Sequence, residues 1–152
     1  MNIKAKLLGA AAVISGISGL LFIVPTPASA NTFIEQVRAQ LMRTAIHGGF
    51  NGYQLTHEPL IDGIRSGGSD YLTINLRAGE QYGIIGVCDE DCQDLDITLY
   101  NNRGQVVAAD TDDDDIPVVG VTPARSGTYR VKVDLPSCNS AMCYYGVGVF
   151  GK

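Results

Sequence analysis

Apolar and polar residues alternate in several short stretches after residue 59. Leu95, Ile97 and Leu99 alternate with Asp94, Asp96, Thr98 and Tyr100. That is the period-2 pattern of a strand with one buried face. Asn101, Asn102, Arg103 and Gly104 follow, residue types that tolerate turn conformations. Residues 105–110 then return, so 94–110 predicts a hairpin. From Pro59 onward the succession of strand-like stretches and turn signals predicts further strands at 60–64, 71–77, 82–88, 116–121, 128–134 and 144–150. Leu72, Ile74 and Leu76 point inward on one of these, and Tyr129, Val131 and Val133 on another. Alternation also puts one of Tyr144 and Tyr145 in the core. Pro117 makes 116–121 short or an edge strand, because proline has no ladder donor. Turn signals recur at 66–69, 78–81 and 122–127.

Upstream the period changes. Phe33, Ile34, Val37, Leu41 and Ala45 recur at helical spacing. Asn31 or Thr32 is placed to cap this helix, with Glu35 completing a capping box, and Gly48-Gly49 stops it. The stripe packs on the rest of the domain or docks a partner. Residues 50–58 form a linker. One helix followed by about eight short strands predicts an all-β antiparallel β-sandwich. If each strand crosses the sandwich once and reverses, the turns at 78–81, 102–104 and 122–127 share one end. The loops at 88–92, 110–115 and 138–143 then share the other.

Residues 1–30 form a signal peptide. Lys4 and Lys6 precede a mostly apolar stretch to Val24, then Pro25-Thr26-Pro27 and the small-x-small site Ala28-Ser29-Ala30. Cleavage before Asn31 leaves the helix and linker start (31–50) and a β-sandwich domain (51–152). An uncleaved anchor is the alternative, and no later stretch is apolar for the ~20 residues a span needs. The chain as a whole carries a net charge of −5. Without Lys4 and Lys6 this becomes −7, nine basic against sixteen acidic side chains. Nucleic acid and anionic membranes are poor partners for such a surface. An exported chain with four cysteines, Cys88, Cys92, Cys138 and Cys143, predicts two disulfides. Three pairings exist, and the local ones, Cys88–Cys92 and Cys138–Cys143, are favoured because each closes a short loop.

Three segments carry a family resemblance: SGGSDYLTINLRAGEQYGIIGV, DLDITLYNNRGQVV, and PARSGTYRVKV followed by YYGVGVF. In this order and spacing, residues 59–150 resemble the bacterial pre-peptidase C-terminal domain appended to many secreted proteases. The resemblance implies a jelly-roll-like sandwich and a non-catalytic role in targeting, adhesion or secretion, with calcium bound in some relatives. Here only a helix precedes the domain, and the four cysteines and the acidic loop are additions to the family pattern.

Ten of the sixteen acids lie between Cys88 and Asp115. Asp110, Asp112 and Asp114 have an alternating spacing that suits Ca²⁺, which takes six to eight oxygen ligands. Asp115 stands where an EF-hand needs glycine, so this is no EF-hand. Asp94, Asp96 and Asp115 complete the candidate ligand set, against the alternative of a solvated acidic loop. His47 and His57 pair with no serine in the sequence, so no catalytic triad is indicated. The expected function is a secreted, non-enzymatic binding or adhesion module, calcium-stabilised in one version, for an extracellular or envelope protein or a glycan. The alternative is an envelope accessory protein that docks a partner through helix 31–47. A small hydrolase is a third class for which no constellation is visible.

Overall fold

The computed structural model describes residues 27–152, with side chains from residue 31; the segment upstream, which holds most of the predicted signal peptide, lies outside the described residues. Helix α1 (Pro27–His47) is followed by nine strands: β1 (Gln54–Leu55), β2 (Leu60–Arg65), β3 (Gly68–Leu76), β4 (Tyr82–Cys88), β5 (Cys92–Tyr100), β6 (Val106–Asp110), β7 (Val118–Val121), β8 (Gly127–Cys138) and β9 (Met142–Gly151). Every pairing is antiparallel. One sheet has the order β2-β9-β4-β7, with β1 beside the far end of β9. The other has the order β3-β8-β5-β6. From β2 to β9 consecutive strands alternate between the sheets, except that β5 and β6 share one, and the two sheet orders are those of a jelly roll. The expected all-β sandwich with one preceding helix is therefore what forms.

Between the sheets lies a core that includes Leu95, Ile97 and Leu99 from β5, Val131, Val133 and Leu135 from β8, and Ile84, Tyr145 and Val147 from β4 and β9. A second core lies on the outer face of the β2-β9-β4-β7 sheet. There Val37, Leu41 and Ala45 of α1 pack on Ile85, Val87 and Phe150, flanked by Phe50, Tyr53, Ile61 and Tyr144. Phe33 stacks on Tyr144 with ring centroids 5.4 Å apart. The predicted apolar stripe of the helix thus faces the domain. This explains why all seven positions of β4 are buried: both its faces are covered. The strands of the other sheet keep the alternating in-out pattern, as β3 and β8 show.

Glycines make the helix seat possible. A Cβ at Gly146 would lie 2.6 Å from a Val37 methyl, and one at Gly148 would lie 3.0 Å from a Leu41 methyl. At Gly83 it would overlap the Phe50 ring at 1.8 Å. The small-residue face of β9 is where the helix side chains enter.

Several boundaries differ from expectation. The helix begins at Pro27, so Asn31 and Thr32 lie inside it rather than at its cap. Proline suits a first helical turn because its missing N–H has no partner there anyway. The 66–69 turn is narrower, with Gly68 and Ser69 already in β3. The 50–58 linker contains β1, which is held by Thr56 as its amide donates to the Val149 carbonyl at 2.9 Å. Pro117 lies outside the edge strand β7, and its carbonyl accepts from Gly86 at 2.8 Å. β8 runs on to Cys138 because Leu135 still faces the core. Its pairing with β5 becomes irregular between Asp94 and Asp96, where Pro136 can donate nothing to the ladder.

Tyrosine hydroxyls lock the connections. Tyr145 crosses between the sheets and donates to Asp70 at 2.6 Å. Its own ionisation is pushed far up by burial and by that carboxylate. Tyr129 donates to the Arg125 carbonyl four residues upstream at 3.1 Å, closing the loop before β8. Tyr82 donates to Glu80 at 2.7 Å and accepts from the Arg77 amide at 3.1 Å, closing the turn before β4.

Candidate functional site

The two ends of the sandwich differ in character. At one end the amide of Gly79 donates to the Pro123 carbonyl at 2.9 Å, so the 78–81 and 122–127 turns meet. At the other, disulfides join Cys88 to Cys92 and Cys138 to Cys143. The Asn139 amide donates to the Asp91 carbonyl at 2.7 Å and ties these two loops together. The acidic loop reaches the same end, where the Leu95 amide donates to the Asp114 carbonyl at 2.9 Å.

The aspartates at this end mainly organise backbone. Asp110 accepts from the amides of Val118 at 2.7 Å and Asp112 at 3.4 Å. Asp114 accepts from the Ile116 amide at 2.9 Å. These bonds steer the chain from β6 across to β7 in the other sheet. The calcium set expected from sequence is not gathered into a cage. Asp94, Asp96, Asp110, Asp112, Asp114 and Asp115 are neighbours on one surface, but among the described residues no three His, Cys, Asp or Glu side chains converge to hold a metal. At Asp110 and Asp114 the physical reason is that their carboxylates are turned toward nearby backbone amides rather than toward a common centre.

Their crowding has an electrostatic consequence. Burial raises the pKa of Asp94, and repulsion from Asp113 and Asp114 adds to it. Burial also raises Asp96, with further repulsion from Asp94, Asp134 and Asp110 against the opposing pull of Lys132. Asp89, inside the first disulfide loop, is only 6% exposed. Burial raises its pKa, while the Tyr144 amide, donating to its Oδ2 at 2.7 Å, works the other way. Its Oδ1 and the Oδ1 of Asp94 are buried and meet no hydrogen-bond donor.

Each of these folded-state pKa values lies above its unfolded value, so the native state holds more protons. Stability then falls as pH rises through a window that opens near the ordinary Asp value of about 3.9. The protein should melt at a higher temperature at mildly acidic pH than at neutral pH. Asp96→Asn should raise the neutral-pH melting temperature and shrink that difference. A melting temperature that rises steadily from acid to neutral pH would contradict this. With Asp110 and Asp114 engaged by backbone amides and no three carboxylates convergent among the described residues, the same melts in millimolar Ca²⁺ should show no shift.

No catalytic arrangement appears among the described residues. His57 sits between the Thr56 hydroxyl at 2.9 Å and the Asn75 carbonyl at 3.1 Å. His47 ends the helix. Neither contacts a serine, and all four cysteines are in disulfides.

The outer face of the β3-β8-β5-β6 sheet carries Tyr100, which the alternation placed outward as either a stacking residue for a ligand or a cross-strand partner. While α1 covers the other sheet, no element among the described residues covers this face. Strand register places its side chains in cross-strand rows: Tyr71, Lys132, Thr98 and Ala109 in one, Thr73, Arg130, Tyr100 and Val106 in the next. Arg130 lies over both tyrosine rings, 5.2 Å from the Tyr71 centroid and 5.6 Å from that of Tyr100. Such contacts contribute roughly 0.5–1 kcal/mol each at exposed sites, enough to hold the guanidinium in one place. Lys132 instead pairs with Asp134 at 2.7 Å, and that partner raises its pKa. Period-2 alternation had placed Tyr100 outward; only the register shows that it shares a cation with Tyr71.

No helix among the described residues is long and apolar enough to cross a membrane. No protein-family model matches the chain, and no curated protein matches it. Among solved structures, the chain is similar to the crystal structure of Aeromonas hydrophila PliG, described as a periplasmic lysozyme inhibitor of g-type lysozyme. The TM-score is 0.49 and the identity 11%, over 67% of this chain and 90% of that one.

Proposed function

We propose that this chain is an exported, non-enzymatic recognition module that binds an extracellular or envelope protein or a glycan through the bare sheet face around Arg130. The observation that carries this reading is the Tyr71–Arg130–Tyr100 arrangement on the one sheet that α1 leaves uncovered. Rigid aromatic rings and a pre-placed guanidinium are the side chains that most often dominate binding energy, because little entropy is lost when they engage. The resemblance of residues 59–150 to the pre-peptidase C-terminal domain, which implies a role in adhesion or targeting, is in keeping with this reading. Docking through the apolar stripe of the helix is disfavoured, since Val37 and Leu41 are fully buried against the domain.

The test is binding of the oxidised chain from residue 31 to arrayed glycans and to purified matrix and envelope proteins. For any ligand captured, Arg130→Ala and the Tyr71→Ala/Tyr100→Ala pair should each weaken binding by about tenfold or more, the size of a hot-spot loss of roughly 1.4 kcal/mol or above. Melting temperatures should barely move, because the substituted side chains lie outside the core. Unchanged affinity in all variants would overturn the assignment of this face.

A further inference from the structure

The end of the sandwich opposite the disulfides holds a cleft of about 290 Å³. It lies between the 101–104 hairpin turn and the 124–129 loop. Its wall includes Arg103 from the turn and Arg125 from the loop, with Asn101, Asn102, Ser126 and Thr128 beside them. No acidic side chain lines it. The ion pairs among the described residues are Arg77–Glu80 and Lys132–Asp134, so neither guanidinium of the cleft has a carboxylate partner. This is unexpected in a chain with sixteen acids and eleven basic residues. Most of the acids are drawn to the far end by the 88–92 and 110–115 loops, which leaves two arginines lining one cleft with no carboxylate in its wall.

Both loops are held in shape before any ligand arrives. The Asn101 side chain accepts from the amides of Arg103 at 2.9 Å and Gln105 at 3.0 Å. Gly104 takes a φ of 75°, which a residue with a side chain adopts only under strain. On the other wall the Tyr129 hydroxyl donates to the Arg125 carbonyl at 3.1 Å, and the Ser126 hydroxyl accepts from the Ala78 amide at 2.9 Å. Little ordering therefore remains to be done on binding.

We infer that this cleft binds an acidic sugar, with Arg103 and Arg125 holding its carboxylate. A guanidinium presents parallel donors that match a carboxylate in fork geometry. The surrounding amides and hydroxyls suit a ring rich in hydroxyl groups, and the Tyr129 side of the cleft offers its carbon face a surface. The cleft adjoins the Arg130 face at Asn101 and Tyr129 but is lined by none of Tyr71, Tyr100 and Arg130, so substitutions at Arg103 and Arg125 test it apart from that face.

The test uses the oxidised chain from residue 31, followed by calorimetry and by NMR shifts at the two loops. The probes are trigalacturonate, neutral maltotriose and a glutamate-rich peptide. Trigalacturonate should bind saturably at millimolar concentration and weaken with added salt, and maltotriose should not bind. Arg103→Gln and Arg125→Gln should each reduce affinity on the order of tenfold, as expected for loss of hydrogen bonds to a charged group. Arg38→Gln, an exposed helix arginine outside both faces, should leave it unchanged. Absence of saturable trigalacturonate binding, equal binding by both Gln variants, or binding of the peptide alone would overturn the inference.

Discussion

Leu41→Ala should lower the unfolding free energy by about 2–5 kcal/mol, the range for truncating a fully buried leucine in a site that cannot collapse. Leu41 is 0% exposed and touches the space above Gly148. The strand below it cannot move up to fill the void, because β9 is hydrogen-bonded on both sides, to β2 and β4. Val37→Ala should act in the same direction with a smaller loss. Glu35→Ala, on the exposed side of the same helix, should stay within about 0.5 kcal/mol. Urea unfolding checks all three. If Leu41→Ala melted like the wild type, the helix would be an appendage rather than half of the second core. Deleting residues 31–47 extends the argument: Ile85, Val87 and Phe150 would lose their cover, and the sandwich should be strongly destabilised or insoluble.

Reduction of the two disulfides should have the next largest effect. They close loops with sequence separations of 4 and 5. Chain entropy alone assigns about 2 kcal/mol to a loop of that size. The two loops touch through Asn139 and Asp91, and Cys92 pairs with Cys138 in the ladder. Sites that share contacts do not add independently, so full reduction should cost less than the roughly 4 kcal/mol sum of two such loops. Roughly 10 °C of melting temperature is at stake for a domain of this size. Differential scanning calorimetry with and without reductant measures the total. The pairs Cys88→Ser/Cys92→Ser and Cys138→Ser/Cys143→Ser, alone and combined, measure the shortfall from additivity. A melting temperature unmoved by complete reduction would mean that the surrounding strands hold this end unaided.

Much of the architecture was legible because one-sided burial writes itself into alternation. Leu95, Ile97 and Leu99 marked β5, and Tyr129, Val131 and Val133 marked β8, since each strand has water on its other face. The helix stripe was legible for the same reason at a different period. Strand count and reversal were enough to place both cysteine pairs and the acidic loop at one end. Other features were not legible. β4 and β9 carry no alternation, as both their faces are covered, so the two-layered core around them could not be read from pattern. Gly146 and Gly148 suggested the close approach of a neighbouring backbone, whereas side chains of the helix, Val37 and Leu41, are what approach them. The aspartates suggested metal by composition, whereas short-range turns had already engaged Asp110 and Asp114 with backbone amides.

The candidate sites show the division most clearly. Sequence placed Tyr100 on an outer face and Arg103 and Arg125 in turns, and went no further. Tyr71, Arg130 and Tyr100 come from three strands, and their meeting depends on the register of β3, β8 and β5. Arg103 and Arg125 are joined only because two loops from different parts of the chain arrive at one end. By itself, then, the sequence determined the elements, their inward faces and the ends at which loops collect, because those follow from local periodicity and chain reversal. Which sheet the helix covers, which glycines seat it and which cations remain unpaired were decided by tertiary structure alone. Those outcomes depend on contacts between residues far apart in the chain, and no local period encodes them.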